Sequence, residues 1–254
     1  MVRAAAPPAS KIVSVDPQEI ARFSAIAEEW WNPDGKFRPL HKLNPVRLGF
    51  IRDTLAGHFG RDAMRPGPLA GLNLLDIGCG GGLVAEPMAR LGAAVTAIDA
   101  AERNVQVARR HAEQGGLSID FRHAAAEDLA AAGMRFDAVL SLEVIEHVVD
   151  RDAFLGICAQ LVRPGGALVM ATLNRTPQAF LLAIVGAEYV LGWLPRGTHQ
   201  WSKFVRPSEL ARPLRAYGVA VKRLSGVSYS PLADAWTLTG DLSVNYMAFC
   251  VKRA

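Results

Sequence analysis

The chain is poor in cysteine: Cys79, Cys158 and Cys250 are the only three in 254 residues. That is too few, and too widely spaced, for a disulfide framework or a zinc knuckle, so a reducing compartment is expected. Charge of one sign is also scarce. Lys and Arg total 28 against 24 Asp and Glu, and the net charge of +4 falls well short of a nucleic-acid-coating composition. Long apolar runs are missing too. The longest, Ala179 to Pro195, covers 17 residues and carries Glu188 near its middle, too short and too costly for a membrane span. Met1 to Ser10 has no apolar stretch of the kind a secretory signal needs. Internal repeats are absent. Secreted, fibrous and integral-membrane classes are excluded, and no nucleic-acid partner is expected. What remains is a half-apolar chain, 50% hydrophobic, long enough to bury a sizeable core.

One domain is expected. Residues 1–15 read as a frayed tail, 16–70 as a helical cap, 71–173 as a ligand-binding core, 174–205 as an apolar insertion and 206–254 as the end of the sheet. Asp16-Pro17 is a helix opening, an N-cap acid followed by proline at the first helical position. Ile20, Phe23, Ile26 and Ala27 then recur at helical spacing. Asn32-Pro33-Asp34-Gly35 breaks that helix, and a second is predicted to begin near Pro45. From Leu72 the rhythm changes to short apolar runs: Leu72–Ile77, Ala94–Ile98, Ile119–His123, Phe136–Leu142 and Ala167–Leu173. Helical candidates Leu83–Leu91, Arg103–Gln114 and Ala153–Leu161 lie between them. Alternation of this kind predicts an α/β fold, an open, doubly wound and mostly parallel sheet covered on both faces. A helix over Pro207–Tyr217 and strands over Val219–Leu224 and Tyr246–Val251 complete it.

The strongest motif is Asp76-Ile77-Gly78-Cys79-Gly80-Gly81-Gly82 at the end of the first strand. Glycines let the backbone turn sharply and come close to a ligand at the carboxyl edge of such a sheet. Asp99 ends the second strand, about 20 residues on, where a carboxylate can accept both ribose hydroxyls of an adenosine. The third position of a pyrophosphate fingerprint is Leu83, which disfavours a dinucleotide. Asp76, two residues ahead of Gly78, suits an ammonium better than a pyrophosphate. Glu127 and Asp128 follow the third strand, where an acid can receive an adenine amino group. S-adenosyl-L-methionine is therefore the expected cofactor, with Asp76, Gly78, Gly80, Asp99, Glu127 and Asp128 as candidate contacts.

These segments, with Arg163-Pro164-Gly165-Gly166, resemble the class I S-adenosylmethionine-dependent methyltransferases. Trp30-Trp31-Asn32-Pro33-Asp34-Gly35-Lys36-Phe37-Arg38-Pro39-Leu40-His41 resembles, more narrowly, the bifunctional ubiquinone-biosynthesis O-methyltransferases. So do Asn44-Pro45-Val46-Arg47, Thr172-Leu173-Asn174-Arg175, Val185-Gly186-Ala187-Glu188-Tyr189 and Gly197-Thr198-His199. The resemblance runs from about residue 16 to the end. It implies methylation of catechol-type hydroxyls on polyprenyl intermediates, 2-polyprenyl-6-hydroxyphenol and 3-demethylubiquinol. It also implies a cofactor site comprising Arg47, Gly78, Asp99 and Leu142, with the Arg47 guanidinium suited to the methionyl carboxylate. The chain departs from the family pattern at Ser243, where relatives often carry an acid.

Glu143, Glu146 and His147 stand at i, i+3 and i+4, so on a helical turn they would share one face. Two carboxylates and an imidazole suit a divalent ion, Mg²⁺ if oxygen dominates and Zn²⁺ if the histidine does. Eukaryotic members of the resembled family are thought to use a metal here; the alternative is an acid and a histidine that fix a loop or touch substrate. A phenol titrates near pH ~10 and needs a base at neutral pH. His147 and His199 are the candidates, with His41 third. The apolar insertion, flanked by Arg175, Arg196 and Lys203, reads either as a buried helix or as an interfacial one that docks on a membrane and admits a lipid-borne acceptor. The resulting expectation is a cytoplasmic enzyme held peripherally at the inner membrane, with other ubiquinone-biosynthesis enzymes as candidate partners. Two other readings stay open: a methyltransferase with another small acceptor, and a non-catalytic cofactor-binding membrane scaffold.

Overall fold

A computed structural model describes residues 16–182, 200–230 and 233–254. Two helices precede the sheet, α1 (Pro17–Ala25) and α2 (Arg38–His58). The core alternates β1 (Asn73–Ile77), α3 (Ala85–Arg90), β2 (Ala94–Asp99), α4 (Glu102–Gln114), β3 (Asp120–His123), α5 (Ala126–Ala131), β4 (Phe136–Leu142), α6 (Arg151–Leu161) and β5 (Val162–Leu173). The short α7 (Pro177–Ala179), α8 (Pro207–Ala216), β6 (Val219–Ser230), β7 (Ala235–Thr239) and β8 (Asn245–Lys252) follow. The eight described strands lie in the order β3-β2-β1-β4-β5-β8-β6-β7. β1 to β5 pair in parallel, while β8, β6 and β7 extend the sheet antiparallel. The order reverses at β1 and β4, which is where an open α/β sheet forms its ligand crevice.

Period-two alternation sends neighbouring residues to opposite faces, and both faces of this sheet are covered. Leu74, Val95, Leu140 and Val169 join Phe50, Ile51 and Met88 on one side. Leu75, Val139, Leu168 and Met170 join Phe154, Leu155 and Leu210 on the other. A third, smaller cluster of Ala27, Trp30, Phe37, Leu83 and Val107 seats the N-terminal cap on the core.

Asp16 caps α1 as expected, its side chain accepting from the Gln18 N–H. The second helix starts earlier than predicted, at Arg38, with Pro45 inside it. Pro39 stands in the first turn, where the missing N–H costs nothing, and is the better start signal. Two elements fall outside the sequence expectation: the alanine-rich α5, and β7, which pairs with a β6 that continues past Leu224 to Ser230. Much of the apolar insertion, residues 183–199, lies outside the described residues, as do the tail over 1–15 and His199. Among the described residues no helix is long and apolar enough to cross a membrane.

Candidate active site

The segments that follow β1 to β4 line a cavity of about 290 Å³, covered by α1, Trp30, Phe37 and the start of α2. Its floor is the glycine turn. Gly78 and Gly80 have φ of +72° and +53°, a region that favours glycine. A Cβ on Gly81 would lie 2.3 Å from the Cβ of Trp30, so the indole sits directly on the turn. Its Nε1 donates to Asn104 Oδ1 at 3.0 Å, and Asn104 Nδ2 donates to Asp99 Oδ1 at 3.1 Å. The cap and the end of β2 are thereby joined through one asparagine.

Asp99 stands where expected. Its Oδ2 accepts the N–H of Gly80 at 2.9 Å and keeps lone-pair capacity for a further donor, while Oδ1 takes the N–H of Ala101 at 2.8 Å beside the Asn104 amide. Burial pushes this carboxyl up, and the backbone donors only partly offset it. Asp76 is buried at the end of β1, and its Oδ2 has no hydrogen-bond partner. Burial pushes its carboxyl up to about 7, with Arg47 pulling down and Asp99 pushing up. Arg47 is equally buried. Its Nη1 donates to Glu143 Oε2 at 2.5 Å and its Nη2 to Asn44 Oδ1 at 3.0 Å, while Nε has no partner. Asn44, one turn earlier on α2, is itself anchored on the Leu83 carbonyl at 2.7 Å. Asp76 and Arg47 thus line one cavity, and each keeps a buried polar atom without a hydrogen-bond partner. Such atoms are costly to leave unpaired, and an amino-acid zwitterion answers both. The residues fit the methionyl end of S-adenosylmethionine.

Leu142 lines the same cavity, but Glu127 and Asp128 do not. Asp128 accepts the Ala125 N–H at 2.9 Å and so caps α5. Both Glu127 oxygens are buried without hydrogen-bond partners, near enough to Cys158 to raise that thiol. Ala124, Ala125 and Ala126, immediately before and at the start of α5, do line the cavity.

The helical-turn expectation for Glu143, Glu146 and His147 is corrected. Glu143 lies outside any helix, at φ +53°, and Ile145–His147 is a single tight 3₁₀ turn. The three side chains part. Glu143 goes to Arg47, Glu146 accepts from Thr172 Oγ1 at 2.9 Å, and His147 Nδ1 lies 3.0 Å from Glu19 Oε2. Among the described residues no group of three His, Cys, Asp or Glu gathers to hold a metal ion. This arrangement does not fit a Mg²⁺ site. Burial pushes the Glu146 carboxyl up to about 6. Burial pulls the His147 imidazole down, yet the Glu19 and Glu146 carboxylates outweigh it and leave it above its ordinary range.

His147 lines the cavity; His41 does not, its Nε2 lying 2.9 Å from the Trp30 carbonyl. Cys79 beside the glycines is buried, and its thiol is pushed well up by burial, which excludes a ready thiolate. Sequence reasoning missed Glu19, Asn44 and Asn104. The contacts that bring them to the site, Glu19 with His147, Asn44 with the Leu83 carbonyl and Asn104 with Trp30, are remote in the chain. The short links, Asn44 to Arg47 and Asn104 to Asp99, are the local signal that could have found two of them.

A family profile described as a methyltransferase domain matches residues 75–170. A ubiquinone biosynthesis O-methyltransferase of Parvibaculum lavamentivorans is 59% identical, with 94% of each chain covered. The proteins of that name from Chelativorans sp. (56%, 96% of this chain and 97% of that one) and Maricaulis maris (55%, all of both) are similarly close. Among solved structures, the 1,6-didemethyltoxoflavin-N1-methyltransferase of Burkholderia thailandensis, with bound S-adenosylhomocysteine, superposes with a TM-score of 0.58. That match has 19% identity and covers 99% of this chain and 94% of that one. Magnesium protoporphyrin IX methyltransferase from Synechocystis PCC 6803, with bound SAM, gives 0.56 at 17% identity, covering 91% and 97%. These two share the fold. With near-complete relatives at 55–59% identity, the chain belongs to the ubiquinone biosynthesis O-methyltransferases, a family of S-adenosylmethionine-dependent enzymes.

Proposed function

We propose that this chain methylates catechol-type hydroxyls of polyprenylated ubiquinone precursors, 2-polyprenyl-6-hydroxyphenol and 3-demethylubiquinol. The observation that carries this reading is that Asp76 and Arg47, each with a buried unpartnered atom, line one cavity with Asp99 and His147. Bound there, S-adenosylmethionine supplies a methyl group on a positively charged sulfur. Asp76 takes the ammonium and Arg47 the carboxylate; Asp99 accepts from the ribose hydroxyls. Gly78 and Gly80 let the backbone approach, and Leu142 packs against the ligand. The apolar lining from Ile20, Phe23, Phe37 and Leu40 excludes water and accepts an aromatic ring. His147 takes the proton of the reacting hydroxyl, and holding oxygen near the methyl supplies much of the remaining rate. No step is routed through a metal.

Calorimetry with S-adenosylhomocysteine, followed by methylation of a short-chain demethylubiquinol, tests this reading. Binding followed by turnover is the expected result. Binding without turnover would assign another acceptor, and no binding would remove the cofactor site.

Peripheral membrane attachment belongs to the same proposal. Phe180, Leu181 and Leu182 are 46%, 58% and 56% exposed at the start of the apolar insertion, and Trp201 is 40% exposed at its end. Exposed apolar side chains of this kind support an interfacial surface. Two of the basic flanks are already engaged, however. Arg175 pairs with Glu209, and Lys203 lies 3.9 Å from Asp16. Apolar insertion is therefore expected to outweigh charge. The double variant Phe180→Glu/Leu181→Glu should lose flotation with phosphatidylglycerol-rich vesicles, and equal flotation of variant and wild type would overturn the surface.

A further inference from the structure

Glu19 belongs neither to the glycine turn nor to the sheet. It sits in the first turn of α1, ahead of the whole core in sequence, yet its Oε2 lies 3.0 Å from His147 Nδ1. Both side chains are mostly buried, 16% and 18% exposed. Phe23, at i+4 on the same face of α1, sets its ring edge-on to the imidazole, with centroids 5.5 Å apart and planes at 90°. Glu19, Phe23 and His147 all line the cavity. One helix therefore grips the imidazole at two points, by charge and by packing.

Glu19 Oε2 is buried and has no formed hydrogen bond, and Nδ1 is the polar atom that faces it at 3.0 Å. A carboxylate only accepts, so a small turn of the ring makes Nδ1 the donor and leaves Nε2 its lone pair. We propose that Glu19 is the positioning residue for the proton transfer: it fixes the His147 tautomer and ring, and steadies the imidazolium that forms. This rests on the reading of His147 as the base. In the step itself the hydroxyl proton passes to Nε2 and the oxygen's electron pair forms the new O–C bond. The C–S bond breaks with its pair left on sulfur, which becomes a neutral thioether, and the imidazolium later returns its proton to water. Because Glu19 comes from α1, the base is complete only with the N-terminal cap in place. Arg22 and Lys203 also lie close enough to act on Glu19, and they keep its negative charge from being isolated.

Steady-state kinetics on the full chain tests the proposal. Glu19→Gln should lower kcat about 10- to 100-fold, with KM for a catechol and affinity for S-adenosylhomocysteine within about threefold. Glu19→Asp, which keeps the charge, should exceed the Gln variant by about fivefold or more. A nitrocatechol already ionised at the assay pH needs no base. With it, the deficits of Glu19→Gln and His147→Ala should both shrink to under about threefold. The double variant should be no slower than His147→Ala alone. Wild-type kcat in Glu19→Gln overturns the proposal, and so does an equal loss with both acceptors, which would make α1 a structural strap. Wild-type turnover in His147→Ala instead overturns the base reading underneath, so the two failures are distinguishable.

Discussion

Replacing His147 with alanine should lower kcat for a catechol acceptor by about 10²- to 10⁴-fold, while affinity for S-adenosylhomocysteine changes by less than about threefold. The asymmetry follows from where each group is tied down. Arg47 is held by Asn44 and Glu143, and Asp99 by Gly80, Ala101 and Asn104. None of those bonds runs through His147, which touches Glu19 and Phe23 instead. A phenol of pKa ~10 is only about 0.1% ionised at pH 7, so losing the base costs turnover directly. Removing the imidazole also leaves the mostly buried Glu19 carboxylate with only the more distant charges of Arg22 and Lys203, at a cost of about 1–3 kcal/mol. The kinetics should accordingly be run well below the variant's melting temperature. Unchanged turnover would remove His147 from the mechanism and point to Glu146, whose carboxyl is raised to about 6 by burial.

The parts of the site legible in the sequence are those whose chemistry is local. Asp76, Gly78, Gly80 and Asp99 sit at fixed offsets from two strands whose apolar runs mark their own boundaries, so motif and fold agree. Glu143, Glu146 and His147 misled for the opposite reason. Spacing of i, i+3 and i+4 brings side chains together only on a helix, and here the chain passes through a left-handed residue into one 3₁₀ turn. Asp128 looked like a ligand because it follows a strand, but a carboxylate in the first turn of a short helix is drawn to free backbone N–H groups, and Ala125 offers one. The expected strand over Val219–Leu224 stops short of Gly226, through which β6 continues; the backbone is closely packed there, a Cβ on Gly226 falling 1.8 Å from the Asp241 carbonyl oxygen. Contacts between distant segments leave no trace in spacing at all. Glu19 with His147, Trp30 with Asn104, and Asn44 with the Leu83 carbonyl all join the cap to the core, and only the packed chain brings them together.

Asp76 carries the other large effect, and its sign depends on pH. Burial raises its carboxyl to about 7, so the empty protein at pH 6 holds this group about nine-tenths protonated. A ligand ammonium requires the carboxylate, and binding must therefore expel the proton. Affinity for S-adenosylhomocysteine should fall about tenfold per pH unit below 7 and level off above it, with roughly 0.9 proton released at pH 6. Calorimetry in buffers of different ionisation enthalpy reads that release. Asp76→Asn keeps the shape and loses the charge. At pH 8 it should bind about 30- to 1,000-fold more weakly, the usual loss of a buried charge partner, and at pH 6 it should release no such proton. A slope that survives in the variant would assign the titration to another group. The empty protein supplies an opposite signature. The folded carboxyl titrates well above its unfolded value, so between about pH 4 and 7 the native state holds a proton that the unfolded chain has given up, and wild-type stability falls as pH rises through that window. Asparagine escapes this loss. Without ligand, Asp76→Asn should melt above wild type at pH 8 although it binds cofactor far less well. A residue that serves packing alone would not separate stability from affinity in this way, because its loss would lower both.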